Sequence, residues 1–196
     1  MQAERVALEG VKSDDVIWND ERGEDDFAEI AEWALSSFIK CSPARTAMLL
    51  STTGESNNWK PIALTGIVPP DSDLQSSISN DINTPILDRM KRYDETSGKG
   101  GSVGSSALQG RGRDGPKESY LPTLQALPGR VEFTYLPANT QEVLVLPVPT
   151  ARALVGASDG MYFAVVLGGD TAKSFTPRDI AWCHEVSAWI GDSLNH

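Results

Sequence analysis

The sequence predicts an α+β fold in which helices pack against one antiparallel sheet. Periodic patterns follow one another as a helix, two strands, a helix, several strands and a closing helix. Short turns separate successive strands, which is typical of an antiparallel sheet, because a doubly wound parallel fold needs a helix between neighbouring strands. The chain has 196 residues, of which 40% are hydrophobic, and this is enough for one core in one globular domain.

The N-terminal part predicts an acidic lead-in followed by a one-sided helix. Residues 14–29 hold eight acidic side chains and one basic side chain, so we expect residues 1–24 to form a solvated lead-in. A single domain is expected over residues 25–196. Asp26 and Glu29 favour a helix start, and apolar residues then recur at helical spacing until a Ser-Pro pair ends the pattern.

The middle of the chain predicts a hairpin, a helix and a loop. Residues 45–52 and 60–68 are typical of two strands joined by a turn that contains Gly54. Residues 82–93 favour a helix. Residues 96–117 contain eleven Gly or Ser residues and four basic side chains without helical or strand periodicity, so we expect a disordered basic Gly/Ser-rich loop.

The second half predicts a short helix at residues 121–127, four strands and a closing helix. The strands are expected at residues 130–135, 142–148, 152–155 and 161–167. The closing helix has the clearest signal, because Thr176 fits the N-cap, Pro177 the first helical position and Asp179 the first turn. Its buried stripe is expected to be Ile180, Cys183, Ser187, Ile190 and Leu194.

This element order is shared by profilin-like, PAS-like and GAF-like folds. The helices that flank both ends of the domain favour the GAF-like variant, a central antiparallel sheet with N- and C-terminal helices. Folds of this kind host many functions, so the fold class alone does not predict an activity.

Composition excludes several classes of protein. The 17 Lys and Arg against 27 Asp and Glu give a net charge of −10, which argues against a nucleic-acid partner. The longest apolar run, Met161–Leu167, is far shorter than the roughly 20 residues that cross a bilayer. Cys41 and Cys183 are the only cysteines and have no metal-ligand spacing, so we expect reduced thiols and no metal site.

Two short motifs resemble catalytic or phosphate-binding signatures, and neither has the required context. Gly156–Gly160 fits GxSxG with Ser158 as nucleophile, but a strand rather than a helix is expected after it. Gly110–Gly115 fits GxGxxG inside the Gly/Ser-rich loop, without a preceding strand. We therefore expect no catalytic residues and a protein that is not an enzyme.

The closing helix carries the candidate functional residues. His184 is expected at the margin of the core, where it is either an edge side chain or a ligand to haem. Trp182 and Trp189 lie on another flank of the helix with Val186 between them. This flank either packs peripherally against the core or forms a partner-facing aromatic stripe, and helical spacing leaves both interpretations open.

Three segments in this order resemble one known family. They are Leu136–Val148 (LPANTQEVLVLPV), Val166–Asp170 (VLGGD) and Phe175–Trp182 (FTPRDIAW). Each has a plain structural meaning as a turn, a strand end or a helix cap, and their joint order and spacing resemble the family named for cofactor assembly of complex C. This family is required to mature the cytochrome b6f complex.

The resemblance implies a protein of the chloroplast thylakoid membrane with a soluble GAF-like domain that faces the stroma. The full-length protein would be anchored through segments absent here, with Met1-Gln2 as the start of the soluble portion. Family members associate in paralogous pairs and assist covalent attachment of haem to apocytochrome b6. The resemblance implies no catalytic residue.

Three functions follow as hypotheses. The leading one is a non-catalytic scaffold in a heterodimer, with Trp182, Val186 and Trp189 at the interface. It predicts that Trp182→Ala with Trp189→Ala weakens partner binding while the fold stays intact. The second is a haem-binding chaperone that holds haem transiently, not tightly, through His184, or through Met90 or Met161, as axial ligand. The third is a small-molecule sensor with a pocket between sheet and helix.

Overall fold

The computed structural model describes residues 4–19, 26–53, 58–70, 84–90, 118–149 and 161–193. The strands are β1 (Val11–Trp18), β2 (Ala44–Thr53), β3 (Lys60–Val68), β4 (Ser119–Leu121), β5 (Glu142–Val148) and β6 (Met161–Gly169). The α-helices are α1 (Asp26–Cys41), α2 (residues 85–90) and α3 (Pro177–Ser193), and two 3₁₀ helices cover Leu124–Ala126 and Pro128–Phe133.

The strands form one six-stranded sheet in the order β1-β3-β2-β6-β5-β4, and every neighbouring pair is antiparallel. The predicted α+β class with a central antiparallel sheet is therefore confirmed. The hairpin β2–β3 joins the C-terminal strands through the pairing of β2 with β6. This pairing brings the two ends of the domain together, so that α1 and α3 meet on one face of the sheet.

Side chains that alternate along the central strands build a separate core on each face of the sheet. Leu144 and Leu146 of β5 belong to the core under α1 and α3, whose helices contribute Leu35 and Cys183 among others. The intervening Val143 and its neighbours on that side belong to the second core, which α2 and the 3₁₀ helices cover. This period-two alternation is the reason that both faces of β5 are apolar.

Strand β1 corrects the expected acidic lead-in. The sequence predicts no regular structure in residues 1–24, but Val11–Trp18 pairs with β3 at the edge of the sheet. Most of this strand is exposed, and its register shifts between Ser13 and Ile17. An exposed edge strand needs no alternating apolar pattern, and the irregular register removes the period-two signal that identifies a strand.

The expected strand at residues 130–135 is also wrong, because Pro128–Phe133 forms a 3₁₀ helix. A proline at the first turn fixes φ and starts this helix. The expected short helix at 121–127 is confirmed only at Leu124–Ala126, since Leu121 belongs to β4. The basic loop at 96–117 and the strand at 152–155 lie outside the described residues.

The helices at both ends follow their sequence signals. Strands β5 and β6 also begin at the expected residues. The cap of α3 is reciprocal, because the Thr176 amide donates to Asp179 at 2.9 Å and the Asp179 amide donates to Thr176 Oγ1 at 3.2 Å. Of the helices within the described ranges, none is long and apolar enough to cross a membrane.

Candidate functional site

Two tryptophans stack on the outer surface of the helix pair. Trp33 of α1 and Trp189 of α3 have ring centroids 5.5 Å apart and planes inclined by 28°. Trp33 is 49% exposed and Trp189 is 58% exposed, although both rings are large and mostly apolar. Exposed aromatic pairs of this size mark interaction surfaces more often than solvent-facing packing.

The stacked rings line an open groove of about 520 Å³. Its other lining residues are Glu29, Ile30, Asp192 and Ser193. The groove therefore combines an aromatic wall with two carboxylates and no basic side chain. Such a surface suits an apolar or cationic side chain of a protein partner, because aromatic faces attract both and the carboxylates complement a positive charge.

Only one of the three predicted interface residues lies at this surface. Val186 is 5% exposed and belongs to the core under the helices, so it is unavailable to a partner. Trp182 is half-buried against the same core, and its ring meets Phe38 edge-on with centroids 6.0 Å apart. Trp189 alone is exposed, and an interface role for it stays a prediction.

Sequence reasoning missed Trp33. The buried stripe of α1 consists of Ala28, Ala31, Ala34, Leu35 and Phe38. Trp33 lies off this stripe, and a large aromatic residue on the polar flank of an amphipathic helix is the signal that identifies it.

His184 lies on the outer side of α3, partly exposed, in a shallow groove. The acidic side chains of this groove are Glu118 and Glu185. The two alternative axial ligands are far from equivalent, because Met90 is 4% exposed in the second core and Met161 is 48% exposed at the start of β6. Within the described ranges, no cluster of three His, Cys, Asp or Glu residues could hold a metal ion.

Cys183 is an unreactive core thiol. It is fully buried in α3, and burial raises its pKa to about 12, although a hydrogen bond with Ser42 opposes the shift. A thiol with this pKa is protonated at neutral pH and is a poor nucleophile. The expected buried position of Cys183 is confirmed.

The segments that carry the family resemblance meet around one buried carboxylate. Glu142 is fully buried, and its carboxylate accepts hydrogen bonds from the Tyr120 hydroxyl at 2.6 Å, the Ser174 amide at 3.0 Å and the Ser174 hydroxyl. Glu142 pairs with Gly169 of β6. Burial first, and then the hydrogen bond and charge of Glu142, raise the pKa of Tyr120.

This arrangement gives the motif residues a structural role. The amide of Gln141 donates to the carbonyl of Gly169 at 2.9 Å, so the entry to β5 is tied to the end of β6. Ser174 then brings the segment before α3 to the same carboxylate. The motifs therefore hold the β5–β6–α3 junction together. Ser158 and the Gly110–Gly115 motif lie outside the described residues.

The sequence matches one protein family over most of its length. The model of the family described as cofactor assembly of complex C, CCB2/CCB4, matches residues 1–190. The chain is also similar to the Arabidopsis thaliana chloroplastic protein named cofactor assembly of complex C, CCB4. The two are 38% identical over 77 residues, which are 39% of this chain and 22% of the relative. The matched part thus spans about a fifth of that relative's length.

Three solved structures share the fold at low sequence identity. A GAF domain/HD domain protein from Geobacter sulfurreducens superposes with a TM-score of 0.56 at 14% identity, covering 89% of this chain and 95% of the other. The GAF domain of a two-component sensor histidine kinase from Bacillus halodurans gives 0.51 at 10% identity, covering 85% and 92%. The GAF domain of a phosphoenolpyruvate-protein phosphotransferase from Coxiella burnetii gives 0.52 at 9% identity, covering 87% and 90%. The GAF-like fold is confirmed.

Proposed function

This chain belongs to the CCB2/CCB4 family of proteins for cofactor assembly of complex C, and from that membership we propose that it is a non-catalytic assembly scaffold. In this proposal it assists covalent haem attachment to apocytochrome b6 during maturation of the cytochrome b6f complex. It acts by associating with a paralogous partner in a heterodimer. Haem is the group being attached, and positioning of haem and acceptor is the contribution that a scaffold makes.

The stacked pair Trp33–Trp189 is the observation that carries the proposal. A scaffold needs a surface that a partner can cover, and tryptophans are the residues most enriched among interface hot spots. The pair lies across two helices, so a partner that covers it contacts both ends of the domain. The carboxylates of Glu29 and Asp192 beside the rings favour a partner surface with basic side chains.

The non-catalytic role is supported by where the reactive side chains of the described residues lie. Cys183 is buried and protonated, and His184 lies on the outer side of α3 beside acidic side chains. Acid–base or nucleophilic catalysis needs such groups within hydrogen-bond reach of one another around a reacting atom.

We place this function in the chloroplast, at the thylakoid membrane, with the domain on the stromal side. The location is supported by the name of the Arabidopsis relative, which is chloroplastic. The proposal includes a membrane anchor in segments beyond this sequence. Fractionation of chloroplasts that carry a tagged full-length protein, followed by protease treatment of intact thylakoids, tests both the membrane association and the side.

Co-elution with the soluble domain of the paralogous partner tests the scaffold proposal. We expect Trp33→Ala with Trp189→Ala to weaken association by tenfold or more, because buried interface tryptophans typically contribute about 2 kcal/mol or more each. Val131→Ala is the control, since Val131 is an exposed apolar side chain, 62% accessible, elsewhere on the surface. Unchanged affinity in the double variant, with far-UV circular dichroism like the wild type, would remove the interface from this face.

A further inference from the structure

A cationic cleft lies on the α1 side of the sheet, between the C-terminal turn of α1 and the edge formed by β1 and β3. It has a volume of about 790 Å³. Its basic lining residues are Arg5, Lys12, Lys40 and Arg45. The chain as a whole carries a net charge of −10, so four basic side chains around one cleft are a marked local reversal of charge.

Asp170 holds two of these guanidinium groups in place from behind. The Nε atoms of Arg5 and Arg45 lie 2.6 Å and 3.1 Å from the same oxygen, Asp170 Oδ2. The Asp170 side chain is 5% exposed, whereas those of Arg5 and Arg45 are 68% and 36% exposed. One carboxylate neutralises one of the two positive charges. Each guanidinium also keeps terminal N–H donors beyond the contact with Asp170.

The two lysines add charge that is weakly compensated. Lys12 Nζ lies 2.6 Å from Asp14, but both side chains are more than 70% exposed, so water screens the pair. Lys40 forms no ion pair with any described residue, and it lies in the last turn of α1. The carbonyl end of the helix carries roughly half a negative charge, which offsets part of the Lys40 charge. The cleft keeps an excess of positive charge.

Backbone geometry keeps the cleft open. Gly66 of β3 has φ +90°, and a Cβ there would lie 2.1 Å from the carbonyl oxygen of Arg45. The register of β1 shifts between Ser13 and Ile17, where the edge strand leaves the regular ladder. Bulges of this kind bend edge strands and occur next to binding sites.

The walls combine polar and apolar groups. Ser13, Ser36 and Thr65 contribute hydroxyls, and Ile39 and Ile67 contribute aliphatic surface. The volume lies within the range of about 300–1,000 Å³ that small-molecule pockets occupy.

We propose that this cleft binds a small organic anion. A carboxylate or phosphate head contacts Arg5, Lys40 and Arg45, and an apolar body lies against Ile39 and Ile67. The cleft is separate from the Trp33–Trp189 groove, so the proposal does not depend on the scaffold function. A small ligand is favoured over an acidic protein segment because the cationic groups surround a concave volume instead of a long surface track.

Titrations of the isotope-labelled 196-residue chain, followed by amide NMR shifts, test the proposal. The probes are octyl phosphate and octanoate, both below their micelle concentrations, and inorganic phosphate. We expect saturable shifts at Gly66 and Thr65 with at least one amphipathic probe, and weaker binding of inorganic phosphate. The two amphipathic probes distinguish a phosphate head from a carboxylate head.

Lys40→Gln is the test variant and Lys60→Gln is its control, because both remove one exposed positive charge and only Lys40 lines the cleft. We expect about tenfold weaker binding in Lys40→Gln, as for the loss of a charge-assisted hydrogen bond, and no change in Lys60→Gln. Equal affinities in both variants, or shifts confined to the Trp33–Trp189 groove, would overturn the site. A poly-glutamate peptide that binds more tightly than both amphipathic probes would overturn the small-molecule assignment.

Discussion

Gly169 of β6 lies directly opposite Glu142 of β5, and the absence of a side chain on Gly169 makes room for the buried carboxylate. A Cβ at Gly169 would lie 2.8 Å from both Cγ and Oε1 of Glu142. Glu142 cannot turn away freely, since Tyr120 and Ser174 hold its carboxylate. The second glycine of the VLGGD segment is therefore required by packing at the β5–β6–α3 junction.

Gly169→Ala is expected to lower the free energy of unfolding by about 1–3 kcal/mol, because the added methyl group overpacks a buried hydrogen-bond network. Gly168→Ala is the matched control. Its Cβ would meet nothing closer than Thr140 Cγ2 at 3.2 Å, so we expect a smaller loss. Urea denaturation measures both, and equal losses would contradict the role given to Glu142.

Glu132 caps α2 from the neighbouring 3₁₀ helix. It is 1% exposed and accepts hydrogen bonds from the amides of Ile86 at 3.0 Å and Leu87 at 2.9 Å. We expect Glu132→Ala to lower the free energy of unfolding by about 2–4 kcal/mol, because two amides at the start of the helix lose their acceptor. Glu132→Gln keeps one acceptor oxygen and should lose less than half as much. Similar losses in both variants would argue against capping.

The same carboxyl predicts a pH dependence. Burial raises the pKa of Glu132 above its usual 4.5, although the two amide hydrogen bonds oppose the shift. The folded chain then binds more protons than the unfolded chain between these pKa values, so the Glu132 contribution to stability falls as pH rises through that window. Urea denaturation from pH 4 to 7 should show the wild type losing stability relative to Glu132→Gln. A difference that is independent of pH would contradict this.

Trp182 and Trp189 should differ in what their loss costs. Trp182→Ala removes a half-buried ring that packs on Phe38, and we expect a loss of about 2–4 kcal/mol in the free energy of unfolding. Trp189→Ala removes an exposed ring stacked on Trp33, worth about 0.5–1.5 kcal/mol. Thermal denaturation checks the order. A reversed order would assign Trp189 to the core.

Asp170 should stabilise the fold at neutral pH and lose this effect in acid. Burial opposes its ionisation, but hydrogen bonds from Thr171, Arg5 and Arg45 outweigh it, so the pKa of Asp170 lies below its usual 3.8. The stabilisation is present above pH 3.8 and is lost as pH falls through the lowered pKa. We expect Asp170→Asn to cost about 1–2 kcal/mol at pH 7, reduced by solvent screening of both arginines.

Unfolding measured from pH 7 to pH 2 checks this prediction. The gap between wild type and Asp170→Asn should narrow below pH 3.8, because both chains then carry a neutral side chain at this position. Lys12 with Asp14 provides a comparison, since that ion pair is exposed and Asp14→Asn should change stability by less than about 0.5 kcal/mol.

The haem hypothesis is tested by titration of the purified chain with haem, followed in the Soret region. We expect weak, non-saturating association that His184→Ala leaves unchanged, because a partly exposed groove beside Glu118 and Glu185 offers little enclosure for a large planar ligand. A saturable one-to-one shift that the substitution abolishes would make His184 an axial ligand and the domain a haem carrier.

Sequence reasoning identified the elements that carry strong local signals. The α3 cap at Thr176 and Asp179 and the apolar run of β5 were predicted because their determinants lie within a few residues of one another. Strand β1 was missed because an edge strand with an irregular register has little periodicity. The 3₁₀ helix at Pro128–Phe133 was missed because its role, capping α2 through Glu132, depends on a distant segment.

By itself, the sequence determined the fold class, the ends of α3 and the family to which the chain belongs. Helical spacing also determined that Trp182, Val186 and Trp189 point in different directions around α3. Only the tertiary structure decided which of these directions is covered, because burial depends on elements that pack from elsewhere in the chain. The Trp33–Trp189 stack and the cluster of basic residues around Asp170 join segments far apart in sequence. Such contacts arise from strand order and helix packing, which no local pattern encodes.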